Sequence, residues 1–237
     1  MSILDQVRVV LVEPETPGNI GAAARALQTM GLSQLYAVNP ACDPHADEAF
    51  WLAHSAADVL KNIRIVPDLN EALADTVFSI GTTRRTRRQG FPEYTPEEAA
   101  QLVLQRTDAQ PVAIVFGRES KGLTNTELSL CSVQSTIPSA TETQSLNLAQ
   151  SVMIYSYTLY QASLSTEERT HHWKLATHAE LEFFYKHLGE TLARLGTRPA
   201  TTMENYVARF RRVIGRIPLE SRDLNLLHKL LSRAGGK

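Results

Sequence analysis

The run Val112 to Phe116, VAIVF, constrains the fold more than any other stretch: five apolar residues in a row, stopped by Gly117. A run so short and so wholly apolar suits a strand covered on both faces, as in a parallel sheet. The polar loop that follows is bounded by Gly117 and Gly122, whose missing side chains let backbone amides come close to a ligand. A second run, Val133 to Ile137, ends at Pro138, and a polar loop then leads through Ser145, Leu146 and Asn147 into a helix. Ligands of open α/β sheets bind beyond the carboxyl ends of strands, so two such loops make one candidate pocket.

The rest of the chain repeats the alternation. Arg8 to Val12, Gln34 to Val38, Ile63 to Val66 and Thr76 to Ile80 read as strands. Helical patterns follow from Asn19 to Gly31, Ala46 to Leu60, Asn70 to Ala74, Thr95 to Arg106 and Ser145 to Leu164, with Asn19 a plausible N-cap and Gly31 a plausible C′ residue. In the last of these helices Leu148, Val152, Tyr155 and Leu159 form one stripe, which serves either the core or a subunit interface. The fold class expected is α/β, an open, mostly parallel sheet with helices on both faces, over residues 1–164. The polar, aperiodic STEERTHHWK segment marks a linker, 165–175, and three amphipathic segments after it predict a small helical bundle over 176–237.

Charge separates the two parts. Residues 1–165 hold 11 Lys and Arg against 17 Asp and Glu, whereas residues 166–237 hold 13 against 8. A basic appendage on an acidic domain suits a polyanion partner, although a solvated helical face has the same composition. Arg209, Arg211 and Arg212 concentrate charge on one predicted helix, and Arg84, Arg85, Arg87 and Arg88 crowd the loop after the fourth strand. The loop arginines are either solvated or bind RNA phosphates, for which the guanidinium fork is suited.

Several chemistries fall away. Gly117 to Gly122 has the spacing of a phosphate-binding loop, but Leu123 stands where the lysine is required. No GxGxxG follows the first strand, which argues against a nicotinamide-binding domain. His171, His172 and His178 lack partner acids or cysteines at ligand spacing and read as surface residues. Cys42 and Cys131 stand apart, so no metal site and no disulfide is expected. No run approaches the length of a membrane span, and the N-terminal segment lacks the marks of a signal peptide, so a soluble, cytoplasmic protein is expected.

Three separated pieces carry a more specific signal: PGNIGAAAR (Pro17 to Arg25), VFGRESKGL (Val115 to Leu123), and Ile137-Pro138 followed by Ser145-Leu146-Asn147. In order and content they resemble the three motifs of the SPOUT superfamily of RNA methyltransferases, in the branch that methylates ribose 2′-hydroxyls from S-adenosylmethionine. The resemblance implies a trefoil knot in the C-terminal part of the domain. The first motif lies almost at the N-terminus and about seventy residues extend past the domain, which is similar to the TrmJ-type tRNA methyltransferases. These are homodimers that modify cytidine or uridine at position 32 of the anticodon loop and release S-adenosylhomocysteine. A ribosomal RNA 2′-O-methyltransferase and a non-catalytic knotted RNA-binding module are the alternatives.

By this resemblance the cofactor pocket is built from Thr82, Thr83 and Arg84, from Gly117, and from Ile137, Gln144, Ser145 and Leu146. Arg25, Asn19 and Glu119 stand at the catalytic centre. An arginine keeps its proton, since its pKa exceeds ~12, and Arg25 is therefore expected to grip the target phosphate and orient the ribose. Asn19 and Glu119 are expected to position loops or substrate, with a structural Glu119–Arg25 pair as the alternative for Glu119.

Overall fold

A computed structural model describes residues 3–84, 93–106, 110–140, 146–164 and 174–235. Seven strands form one sheet: β1 (Val7–Val12), β2 (Gln34–Val38), β3 (Arg64–Val66), β4 (Phe78–Thr82), β5 (Glu93–Tyr94), β6 (Val112–Phe116) and β7 (Val133–Ser135). Their order is β3-β2-β1-β6-β4-β7-β5, and every pairing is parallel. Val9 of β1 lies beside Leu35 on one side and Ile114 on the other.

Two-residue alternation divides the apolar strands between two layers. Val7, Val9 and Leu11 join Ile114 and Phe116 in a core shared with α1 (Pro17–Thr29), α2 (Asp47–Ala53), α3 (Ala57–Lys61), α5 (Pro96–Leu104) and α7 (Leu148–Leu164). Val10 and Val12 join Ala113 and Val115 in a second core beneath α4 (Leu69–Leu73) and α6 (Asn125–Leu130). A strand with both faces covered can be apolar throughout, which is why VAIVF carried so much information. The sequence did not disclose that Arg8, at 3% exposure, is part of this interior. It donates to Asp75 at 2.8 and 3.0 Å and lies 4.1 Å from the ring centre of Tyr36, so its charge is paired where it is buried.

Local chemistry explains the places where the sequence reading shifts. Pro17 occupies the first turn of α1, where a proline needs no hydrogen-bond partner, so the helix starts at Pro17 with Thr16 as N-cap and Asn19 lies inside it. Gly31 sits just past the helix end at φ 75°, as expected of a C′ glycine. The segment read as one helix from Ala46 to Leu60 is broken: His54 takes φ 50°, and a 3-10 turn, His54–Ala56, separates α2 from α3. α5 opens as predicted, with Pro96 in its first turn and a reciprocal Thr95–Glu98 capping box. β5 and α6 were not anticipated, because β5 has two residues and α6 is mostly polar.

The C-terminal helices α8 (His178–Arg194), α9 (Met203–Ile214) and α10 (Ser221–Ala234) enclose a small core of their own, with Phe184, Tyr185, Leu188, Val207 and Leu224 at its centre. They are also fastened to the sheet domain. Leu175, assigned by the sequence to the linker, is buried in the main core, and its backbone exchanges hydrogen bonds with Gln110 at 2.8 and 3.1 Å. Backbone amides of His178 and Ala179 donate to Thr76 and Ala74 at 2.5 and 3.1 Å. His178 is thus a buried residue, 7% exposed, rather than a surface one, and burial pushes its pKa below the usual histidine value. His171 and His172 lie outside the described residues.

Candidate active site

The carboxyl ends of β4 and β6 and the loops that follow β6 and β7 surround a cavity of about 170 Å³. Thr82, Thr83 and Arg84 come from β4 and its loop, Gly117 from the turn after β6, and Ile137 and Leu146 from the segment after β7. Phe116, Leu123, Leu148 and Tyr155 add apolar surface, while Glu119, Lys121 and Ser151 add polar groups. An apolar slot with a few convergent polar atoms is the ordinary form of a small-molecule site. Gln144 and Ser145 lie outside the described residues, as do Arg85, Arg87 and Arg88.

Backbone geometry shapes this cavity. The turn after β6 folds back on itself, with Gly122 N–H donating to Arg118 O at 2.8 Å. It closes so tightly that a Cβ on Gly117 would stand 2.2 Å from both Gly122 C and Leu123 N. Gly122 adopts φ 68° to complete the turn, a conformation that costs an L side chain about 1–2 kcal/mol. On the opposite wall Thr83 N–H donates to Ser135 O at 2.9 Å and Thr136 Oγ1 to Thr83 O at 2.7 Å, which ties the loops after β4 and β7 together. Tyr155 supports the floor: its hydroxyl donates to Ser135 Oγ at 2.7 Å and its ring meets Phe116 edge-on at 5.5 Å. Burial raises the Tyr155 pKa well above the usual phenol value, so it acts here as a neutral donor.

Beside the cavity, three residues from three distant parts of the chain form a continuous chain of hydrogen bonds. Asn147 Nδ2 donates to Asn19 Oδ1 at 2.8 Å, and Asn19 Nδ2 donates to Glu119 Oε1 at 2.8 Å. Glu119 also accepts from Thr16 Oγ1 at 3.0 Å and from Glu15 N–H at 2.9 Å. Burial pushes the Glu119 carboxyl up, but these donors together outweigh it and hold the pKa below the ordinary value. A carboxylate that accepts this many bonds is ionised and weakly basic. The alternative of a Glu119–Arg25 pair is therefore not what the structure contains: the α1 N-terminus and Asn19 occupy Glu119. Arg25 is exposed on α1 and has no ion pair among the described residues.

Arg118 lies within the second motif. Its Nε donates to Glu13 at 2.7 Å and its two terminal nitrogens to Glu127 at 3.0 and 2.9 Å, with the side chain 14% exposed. No local spacing signals this contact, because Glu13 lies 105 positions earlier. On the appendage, Arg209 and Arg216 are exposed, whereas Arg211 is built into the bundle, bidentate on Glu182 and 4.4 Å above the ring centre of Tyr185. That engagement gives Arg211 partners inside the bundle that Arg209 and Arg216 do not share.

A parallel sheet with its pocket at the strand ends, and the three motif segments meeting beside it, define a class that sequence comparison names. Residues 6–157 match the SpoU rRNA Methylase family, and the chain belongs to it. Similarity continues past that domain. The chain is 40% identical over 242 residues to the tRNA (cytidine/uridine/adenosine-2′-O-)-methyltransferase TrmJ of Pseudomonas aeruginosa, covering 97% of this chain and 94% of the relative. It is 39% identical to the tRNA (cytidine/uridine-2′-O-)-methyltransferase TrmJ of Pectobacterium atrosepticum, covering 97% of each. The crystal structure of TrmJ from Z. mobilis superposes with a TM-score of 0.81 at 31% identity, over 95% of this chain and 97% of that one.

Proposed function

We propose that this protein is an S-adenosylmethionine-dependent tRNA 2′-O-methyltransferase that acts on cytidine or uridine at position 32 of the anticodon loop, as a homodimer in the cytoplasm. The observation that carries the tRNA reading is one of extent. The ribosomal-RNA-named family model ends at residue 157, whereas the similarity to the tRNA enzymes runs through the helical appendage. The same reading includes the trefoil knot, and the placement of β7 between β4 and β5, with its following loop against the cavity, supports it. Among the described residues no helix is long and apolar enough to cross a membrane, in keeping with a tRNA-modifying enzyme.

The residues present fit the cofactor. Its adenine needs a flat apolar slot, which Ile137 and Leu146 can form with Phe116 and Leu123 buried behind them, beside the close turn that only a glycine at 117 allows. When bound, S-adenosylmethionine supplies a methyl group made electrophilic by its sulfonium. The chain's own work is to place the ribose hydroxyl in line with that group, which is chiefly a matter of proximity and orientation. Arg25, exposed and permanently charged, holds a target phosphate. The Asn147–Asn19–Glu119 chain fixes the first turn of α1, and hence the direction in which Arg25 projects, relative to the cavity. Glu119, ionised and already accepting from Glu15 N–H, Thr16 and Asn19, positions rather than deprotonates.

Titration calorimetry with S-adenosylmethionine and methyl-labelling of separate tRNA and ribosomal RNA pools test this reading. Binding of the cofactor and label in tRNA are expected; label in ribosomal RNA alone would overturn the tRNA assignment, and absence of cofactor binding would favour a non-catalytic RNA-binding module.

A further inference from the structure

Three consecutive residues of the turn after β6 grip the segment between β1 and α1, and one of them also holds the first turn of α1. Arg118 holds Glu13, Glu119 holds Glu15 N–H, Thr16 and Asn19, and Ser120 Oγ donates to the Glu15 carboxylate. The first of these contacts differs from the others in kind. Arg118 and Glu127 are largely buried at 14% and 17% exposure and Glu13 is partly so at 37%, and one guanidinium holds two carboxylates, Glu13 through Nε and Glu127 through its two terminal nitrogens. Glu127 is at the same time the reciprocal partner in the cap of α6, where Thr124 N–H donates to it at 2.7 Å. Glu13 adopts φ 44°, a region that non-glycine residues enter rarely and keep only where surrounding contacts fix them.

Resting on the functional reading above, we infer that Arg118 is a positioning residue for methyl transfer, locking the turn that walls the cavity to the segment that launches the Arg25 helix. Arg118 itself borders the cavity, so the same side chain belongs to the wall and to the clasp. The clasp is best made by an arginine. A lysine carries the charge but offers a point donor that cannot reach both carboxylates in the forked geometry seen here. Loss of the bridge frees the Glu13 side chain and weakens the hold on its strained conformation, while the loop keeps its backbone bonds from Glu13 to Val38 and from Ala41 to Pro14. The Glu119 and Ser120 contacts then register the two halves of the site without their charged tie.

The test uses the full-length protein as Arg118→Gln, Arg118→Lys, Glu13→Gln and the Arg118→Gln/Glu13→Gln double variant. Arg118→Gln is expected to lower kcat by up to about 100-fold, the cost of roughly 1 Å of misplacement at a reacting pair, while KM for S-adenosylmethionine changes only a few-fold. Arg118→Lys is expected to recover part of the lost kcat. The double variant is expected to be no worse than Arg118→Gln alone, because both act through one contact. Hydrogen exchange supplies a readout independent of turnover: the Glu15 amide, which Arg118 does not touch, should lose protection in Arg118→Gln. Wild-type kcat in Arg118→Gln, additive losses in the double variant, or unchanged Glu15 protection would each overturn the inference. If the unmodified protein methylates no tRNA, the functional reading fails, and the Glu15 exchange result still decides whether the clasp exists.

Discussion

Replacing Gly117 by alanine probes the cavity at its tightest point. The new Cβ would lie 2.2 Å from Gly122 C and Leu123 N and 2.7 Å from Gly122 O, all of them backbone atoms that cannot rotate away. Carbon atoms in contact sit about 3.5–4.0 Å apart, so the turn must retreat by more than ~1 Å. Overpacking of this sort costs about 1–3 kcal/mol, which lowers Tm by roughly 2–12 °C in a chain of this size. The functional effect should be larger than the thermal one, since the displaced atoms are the cavity wall. Calorimetry at a temperature where Gly117→Ala is fully folded should show S-adenosylmethionine affinity reduced by at least ~10-fold, equal to ~1.4 kcal/mol. Gly122→Ala is the control: nothing stands within 4 Å of its Cβ, so only the cost of φ 68° remains, about 1–2 kcal/mol of stability. Wild-type cofactor affinity in folded Gly117→Ala would refute the placement of the site at this turn.

Three further outcomes follow from the structure. Arg25→Ala should abolish turnover while S-adenosylmethionine binding survives, as calorimetry can show; loss of both would make Arg25 structural. Arg209→Ala with Arg216→Ala should weaken tRNA binding and flatten its dependence on salt, whereas Arg211→Ala, which leaves Glu182 unpaired, should act chiefly by lowering Tm. Glu13, Glu119 and Glu127 all have carboxyl pKa values held below the ordinary range: for Glu13 the bond from Arg118 is the largest influence, and for the other two hydrogen bonds outweigh burial. Their stabilisation is therefore complete above the ordinary glutamate pKa of about 4.3 and lost as pH falls through the lower folded values. Melting scans from pH 6 to pH 3 should show Tm falling less steeply in Glu119→Gln than in the unmodified protein.

Periodic, locally encoded features were legible in the sequence. The β2 and β6 boundaries follow directly from apolar runs, and the capping box of α5 from Thr95, Pro96 and Glu98. Sheet order was not legible, because parallel pairing is decided by crossovers and not by any local pattern. The broken helix at His54 depended on a single backbone conformation, the positive φ of that residue. The same division holds at the cavity: glycines and the apolar wall announce themselves in short motifs, but the clasp of Arg118 on Glu13 and the link from Asn147 to Asn19 join residues more than a hundred positions apart. Arg211 shows the converse, an exposed-looking charge in a basic run that the bundle uses internally.

The central claim is most directly tested by locating the product. Purified protein, unmodified tRNA and methyl-labelled S-adenosylmethionine, followed by nuclease digestion and mass spectrometry, should yield a 2′-O-methylated cytidine or uridine at position 32. Methylation confined to another tRNA nucleotide, to a base instead of a ribose, or to ribosomal RNA would contradict the account.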